Sequence, residues 1–125
     1  MEGYNVTIKE TSKELTAKER IAIKDITNAI KLENVADDDA FIIKPVAYAV
    51  LAVHNEKSKD NKDYNVYIIT AEDGSIFKTG SDSFFDSFRN IWDEMQGEDE
   101  EWSISIFKRP SKNYEGKYFL TCAIV

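Results

Sequence analysis

The chain has 125 residues, 42% of them hydrophobic, and a formal net charge of −7 at pH 7. That length suits one domain burying roughly two-thirds of its unfolded-chain surface, and the apolar content excludes a disordered chain. No apolar run approaches the ~20 residues that cross a bilayer, so no membrane partner is expected.

The amino terminus, Met1-Glu2-Gly3-Tyr4-Asn5, lacks the basic and apolar regions of a secretory leader. Cys122 is the only cysteine, so no intrachain disulfide forms, and a reducing, cytoplasmic setting is expected. In chain order, Thr16-Ala17-Lys18-Glu19 has the capping-box form and predicts a short helix. Alternation from Ile26 to Leu32 predicts a strand, although Ile26, Ala29 and Ile30 also suit a helix face. Asn34 to Asp39, with its run of three aspartates, reads as a solvated turn. From Phe41 to His54 a β-branched and aromatic stretch predicts one long strand, bent at Pro45, which has no N–H for the ladder.

A polar loop from His54 to Asp63, carrying Lys57, Lys59 and Lys62, returns into a strand over Tyr64–Ala71. Asp73-Gly74 supplies the positive-φ pair of a tight hairpin turn, with Ser75–Thr79 as the outgoing strand. Ser81 or Asp82 caps a helix whose apolar positions are Phe84, Phe85, Phe88, Ile91, Trp92 and Met95, with Gly97 as its stop. Two strands close the chain, Trp102–Arg109 and Lys117–Ile124, joined by a basic loop. This order predicts a mainly β fold: a five-stranded, partly open Greek-key barrel over residues 41–125, one helix between strands three and four, and an N-terminal extension over residues 1–40. An α+β sheet covered by one helix is the alternative, because strand order in space is not written in the sequence.

The inventory for catalysis is thin. His54 is the only histidine and is expected at the surface or in a structural role, while Cys122 lies in an apolar strand as a buried, inert thiol. Structural zinc is excluded by the shortage of Cys and His. Asp37-Asp38-Asp39 and Glu98–Glu101 lack the spacing of a calcium loop and read as solvated charge. Gly116-Lys117 is no phosphate-binding loop, because Ser111 stands where the upstream glycine belongs and Tyr118 where Ser or Thr should follow. No catalytic residue, metal or cofactor is therefore expected.

Charge is unevenly distributed. Asp82, Asp86, Asp93, Glu94, Glu98, Asp99, Glu100 and Glu101 face only Arg89 in their segment, which therefore holds the whole −7 and leaves the rest neutral. Lys108 to Lys117 reverses the sign, with Lys108, Arg109, Lys112 and Lys117 against Glu115. Aromatic residues interleave with these cations, the combination that single-stranded nucleic acid requires: bases stack on rings while cations follow phosphates. Candidate platforms are Tyr64, Tyr67, Phe77, Phe107 and Tyr114. Candidate phosphate contacts are Lys57, Lys59 and Lys62 on one loop, Lys108, Arg109, Lys112 and Lys117 around the last hairpin, and Lys78 as a bridge between them.

The segments Tyr67-Ile-Ile-Thr-Ala-Glu-Asp-Gly-Ser-Ile-Phe77, the capped helix from Asp82, and Ser111-Lys-Asn-Tyr-Glu-Gly-Lys-Tyr-Phe-Leu120 resemble small phage-encoded single-stranded-DNA-binding proteins. The resemblance spans about Phe41 to Val125. It implies an OB-fold, the oligonucleotide-binding barrel, which coats single strands during phage DNA replication and recombination without catalysis. The implied partners are single-stranded DNA and phage or host replication and recombination proteins, with a homo-oligomer as an option, in the cytoplasm of an infected bacterium. The alternative function is an acidic DNA mimic that inhibits a host DNA-processing factor through the −7 segment.

Overall fold

The computed structural model describes residues 4–25, 29–35, 41–56, 62–98, 101–110 and 118–125. Its strands form two sheets. The larger has five strands in the order β1 (Tyr4–Thr11), β4 (Pro45–Asn55), β5 (Asp63–Ala71), β6 (Ile76–Thr79) and β2 (Ile30–Lys31). The smaller has three, β3 (Phe41–Ile43), β7 (Ile104–Pro110) and β8 (Tyr118–Ile124). All pairings are antiparallel except β2 with β6.

The expected long strand is divided where proline stands. Phe41–Ile43 pairs with β7 in the small sheet, and from Pro45 the chain joins the large sheet, with a register shift between Pro45 and Ala47. Proline donates no ladder bond, so it sits at the corner where one run of sequence passes between sheets. Lys44 braces the corner from outside, its ammonium 2.9 Å from Glu72 and 3.0 Å from Glu101. Beyond the corner β4 is covered on both faces, which explains its unbroken apolar run. Tyr48 and Val50 face one core, whereas Ala49, Leu51 and Val53 face a second with Ile23 of α1 (Ala17–Lys24).

Helix α3 (Asp82–Met95) forms as its spacing predicts. Ser81 is the N-cap, its hydroxyl accepting the Phe84 N–H at 3.2 Å, and Gly97 follows the helix in a left-handed conformation, φ +85°. Phe84, Phe85 and Phe88 are buried in one cluster with Tyr48, Tyr67, Ile69 and Phe77 of the large sheet and Ile104, Ile106, Leu120 and Cys122 of the small one. The helix thus welds the two sheets together. Helix α1 begins with the expected capping box, in which Thr16 and Glu19 each bond the other's backbone N–H.

Several expectations need correction. The fold is mainly β, as expected, but among the described residues the strands of the expected partly open five-stranded barrel are divided between two sheets. The edge of β6 is taken by β2, with Ile30 opposite Phe77 and Lys31 opposite Lys78, so no strand of the small sheet pairs there. Residues 1–40 are no mere extension: β1 pairs along β4 from Tyr4↔Asn55 to Thr11↔Ala49, and Leu32 is fully buried. Of the described residues in the expected Ile26–Leu32 strand, Ile30–Lys31 is extended and α2 (Leu32–Val35) follows directly; residues 26–28 and the three aspartates lie outside the described residues. The Asp73-Gly74 turn has one positive-φ residue, Gly74 at +91°, not two. Bonds from Gly74 N–H to the Ala71 carbonyl and from Ala71 N–H to the Ser75 carbonyl close a three-residue loop with its left-handed residue last. Among the described residues no helix is long and apolar enough to cross a membrane.

Phe88 is fully buried between the sheets, so Phe88→Ala is expected to lower unfolding free energy by about 3–5 kcal/mol. Loss of the Ser81 cap in Ser81→Ala is expected to cost about 1 kcal/mol. Urea titration followed by circular dichroism measures both, and equal effects would contradict a core centred on Phe88.

Candidate nucleic-acid interface

In the small sheet the register determines which side chains face out. Ile104 lies opposite Ile124, Ile106 opposite Cys122, and Lys108 opposite Leu120. Ile104, Ile106, Leu120 and Cys122 enter the core, so strand alternation turns Ser105, Phe107, Arg109, Phe119 and Thr121 to the other face. Ile42, opposite Ser105, joins them and is 57% exposed. Phe119, opposite Arg109, is 38% exposed. The Arg109 guanidinium carbon lies 4.9 Å from the centroid of the Phe107 ring, a cation–π contact. Phe107 and Phe119 are diagonal neighbours across the ladder, roughly 7–8 Å apart along the sheet.

Electrostatics favour this face for an anion. Helix α3, with Asp86, Asp93 and Glu94 exposed, packs on the core side of the same sheet. Packed layers are about 10 Å apart, so the helix carboxylates stand on the far side of the sheet, about one Debye length of 8–10 Å from the outer face at physiological salt. Arg89, the one cation in that acidic segment, is engaged inward: it donates to Glu10 at 2.5 Å and to Asp93 at 3.4 Å, and lies 5.3 Å over the Tyr48 ring.

The structure brings together only part of the predicted set. Phe107 and Arg109 share the outer face, and Lys108 between them belongs by alternation to the inner one. Tyr67 and Phe77 are core residues and offer no ring to a base. Tyr67 is 7% exposed, stacks on Phe85 at 4.2 Å and donates its hydroxyl to Asp82 at 2.5 Å, and Phe77 is 3% exposed with its ring edge-on to Phe41. Tyr64 is partly exposed but sits at the start of β5, in the large sheet. Lys62 pairs with Glu56 at 3.3 Å. Lys78 is half-buried on β6, opposite Lys31. Lys57, Lys59, Lys112, Tyr114 and Lys117 lie outside the described residues.

The two lysine-bearing connections open from different sheets. The β4–β5 hairpin opens at Asn55, whereas β7 pairs with Phe41 through Ile106 and runs on past it, so their mouths are at opposite ends of the 41–55 run. Phe119 and Ile42 were not singled out from the sequence. Their only signal is alternation with Leu120, Cys122 and Ile43, which becomes informative once the buried parity is known.

A second feature is a polar groove of about 820 Å³ on the large sheet, beside the start of α3, lined by Asn5, Thr7, Lys9, His54, Asp63 and Asn65 among others. His54 has a carboxylate on each ring nitrogen, Asp63 at 2.6 Å from Nδ1 and Glu56 at 2.5 Å from Nε2. These bonds, Asp63 first, raise its pKa above the ordinary value, and the same contact with His54 lowers that of Glu56. Among the described residues no hydroxyl or thiol bonds the His54 ring, and no three His, Cys, Asp or Glu side chains converge on a metal position. No protein-family model, curated protein or solved structure matches the chain.

Burial pushes the Cys122 thiol up to about 12, which leaves almost no thiolate at neutral pH. In the native protein Cys122 is expected to resist a thiol reagent near pH 8 while the urea-unfolded chain reacts completely. Rapid labelling without denaturant would show that the core under β8 opens readily.

Proposed function

We propose that the protein binds single-stranded DNA, without sequence preference, on the outer face of β7 and β8. The observation that carries this reading is the outward-facing set of half-buried Phe107 and exposed Arg109 and Phe119, two rings and a cation on one sheet face. Bases stack on rings irrespective of identity, because every base has a π-face. A guanidinium laid on a ring keeps its N–H donors directed outward at its edge, where phosphate oxygens can accept in pairs. The sequence beyond Arg109 also carries Lys112 and Lys117.

The fold is read here as an open form of the oligonucleotide-binding barrel. Support comes from the order of a run divided at Pro45 between two sheets, two strands, a helix, and two strands. β1 and β2 are additions at the sheet edges. In this reading the protein coats single strands during phage DNA replication or recombination in the bacterial cytoplasm, acting by binding alone. The second reading, an acidic mimic of DNA, is favoured by the exposed carboxylates Asp86, Asp93 and Glu94 on α3.

Anisotropy titration of a labelled oligothymidine between about 50 and 200 mM salt separates the two, since each phosphate neutralised on a single strand contributes about −0.7 to the log–log salt slope. Binding that weakens with salt is expected. Phe107→Ala and Phe119→Ala should each weaken it by roughly 1–3 kcal/mol, the worth of one stacked base, and Arg109→Ala should flatten the slope by about one phosphate. Absence of binding at the lower salt, or equal affinity for both ring variants and the parent, would sink the proposal.

A further inference from the structure

His54 occupies an unusual electrostatic position for an exposed side chain. Both ring nitrogens meet carboxylate oxygens, which accept hydrogen bonds and cannot donate them when ionised. Only the imidazolium, with two N–H groups, can satisfy both at once. Its setting is the mouth of the β4–β5 hairpin, where the Asn55 N–H donates to the Lys62 carbonyl at 2.6 Å. The charged and polar groups around it come from every neighbouring element. Asp63 lies opposite it on β5, Glu56 follows on the turn, and Lys62 holds the second oxygen of Glu56 at 3.3 Å. β1 contributes Asn5 directly opposite the histidine, while Lys9, Tyr64 and Asp82 of α3 line the same groove.

We propose that His54 is a proton switch at this hairpin mouth: as imidazolium it clasps Asp63 and Glu56 together, and on losing the Nε2 proton to solvent it keeps Asp63 and releases Glu56. The direction of release follows from the anchoring of the two acids. Asp63 is fixed in ladder register with His54. Glu56 sits on the turn and already shares Lys62, so it can swing away from the lone pair exposed at Nε2 and keep a partner. The neutral ring is therefore the Nδ1–H tautomer. Among the described lining residues, release also changes the charge of the groove from balanced, with Lys9, His54, Asp63 and Asp82, to one net negative charge.

The pH range follows from the sign of the shift. The histidine pKa is raised in the folded chain above its ordinary 6.5. The clasp therefore stabilises the hairpin fully below that unfolded value and is lost as pH rises through the folded pKa. Because the group is solvent-exposed, the effect is local to the hairpin mouth.

The chain has a single histidine, so one long-range proton–nitrogen correlation spectrum, recorded across the titration, reads both midpoint and tautomer. The expected result is a midpoint above 6.5, a proton retained on Nδ1, and an Asn55 amide shift that titrates with the same midpoint. Glu56→Ala should lower the midpoint and leave the Nδ1–H tautomer; Asp63→Ala should lower it and return the proton to Nε2. Both positions are at the surface, and the wild-type titration decides the matter should either variant fail to fold. A wild-type midpoint at or below 6.5, a neutral ring protonated on Nε2, or an Asn55 amide blind to the titration would each overturn the switch. The DNA-binding reading is untouched by any of these outcomes.

Discussion

Phe84, Phe85 and Phe88 are wedged between two sheets that the chain joins at the Pro45 corner between β3 and β4, and the rest of the architecture hangs on that contact. Each buried phenylalanine contributes about 1.5–3 kcal/mol from apolar area removed from water. Geometry adds to this. Phe85 lies flat on Tyr67 at 4.2 Å, and Tyr48 meets Phe85, Phe88 and Trp92 edge-on at 5.4–5.9 Å. Trp92 in turn meets Trp102 at 5.9 Å, just ahead of β7. The polar ends of the two tyrosines are satisfied by Asp82 and Glu10; burial together with Glu10 pushes the Tyr48 hydroxyl up to about 12. Because the helix takes the inner face of β7 and β8, their alternate residues have nowhere to go but out. The outer set of Phe107, Arg109 and Phe119 is thus a consequence of the phenylalanine wedge.

The edges of the large sheet show how it avoids both closure and further growth. β1, at one edge, has a register shift between Ile8 and Glu10 with Lys9 at the irregularity, and a bulge with a lysine is a recognised device against edge-to-edge pairing. At the other edge β2 contributes only Ile30–Lys31, too short to template a longer strand. The same two residues occupy the side of β6 through which a barrel would close. Openness of the fold and protection of its edge therefore share one cause.

Charge is managed by position more than by composition. The acidic helix stands on one side of the small sheet and the ring-and-guanidinium face on the other, with a hydrocarbon layer between. Carboxylates elsewhere serve local structure: Glu19 completes a capping box, Asp73 accepts the Ser75 N–H at 2.9 Å, and Glu10 joins Tyr48 to Arg89. Exposed pairs of this kind each contribute little to stability. Their value is in fixing the positions of the Tyr48 and His54 rings and the Arg89 guanidinium.

What the sequence determined by itself is the local structure. The capping box at Thr16, the cap at Ser81 with its aromatic stripe, the turn at Gly74 and the bend at Pro45 all depend on residues within a few positions of one another. Interactions of that range are written in residue type and spacing. Only the tertiary structure decided which strands pair and which parity faces out. β1 alternates Val6 and Ile8 with Asn5, Thr7 and Lys9, yet nothing local says that its partner is β4, some 40 residues away. Tyr67, Phe77, Phe107 and Phe119 are equivalent aromatic residues in alternating strands when taken one at a time. A strand has two faces related by a shift of one residue, and only the arrival of α3 against one of them sends Tyr67 and Phe77 inward and leaves Phe119 in solvent.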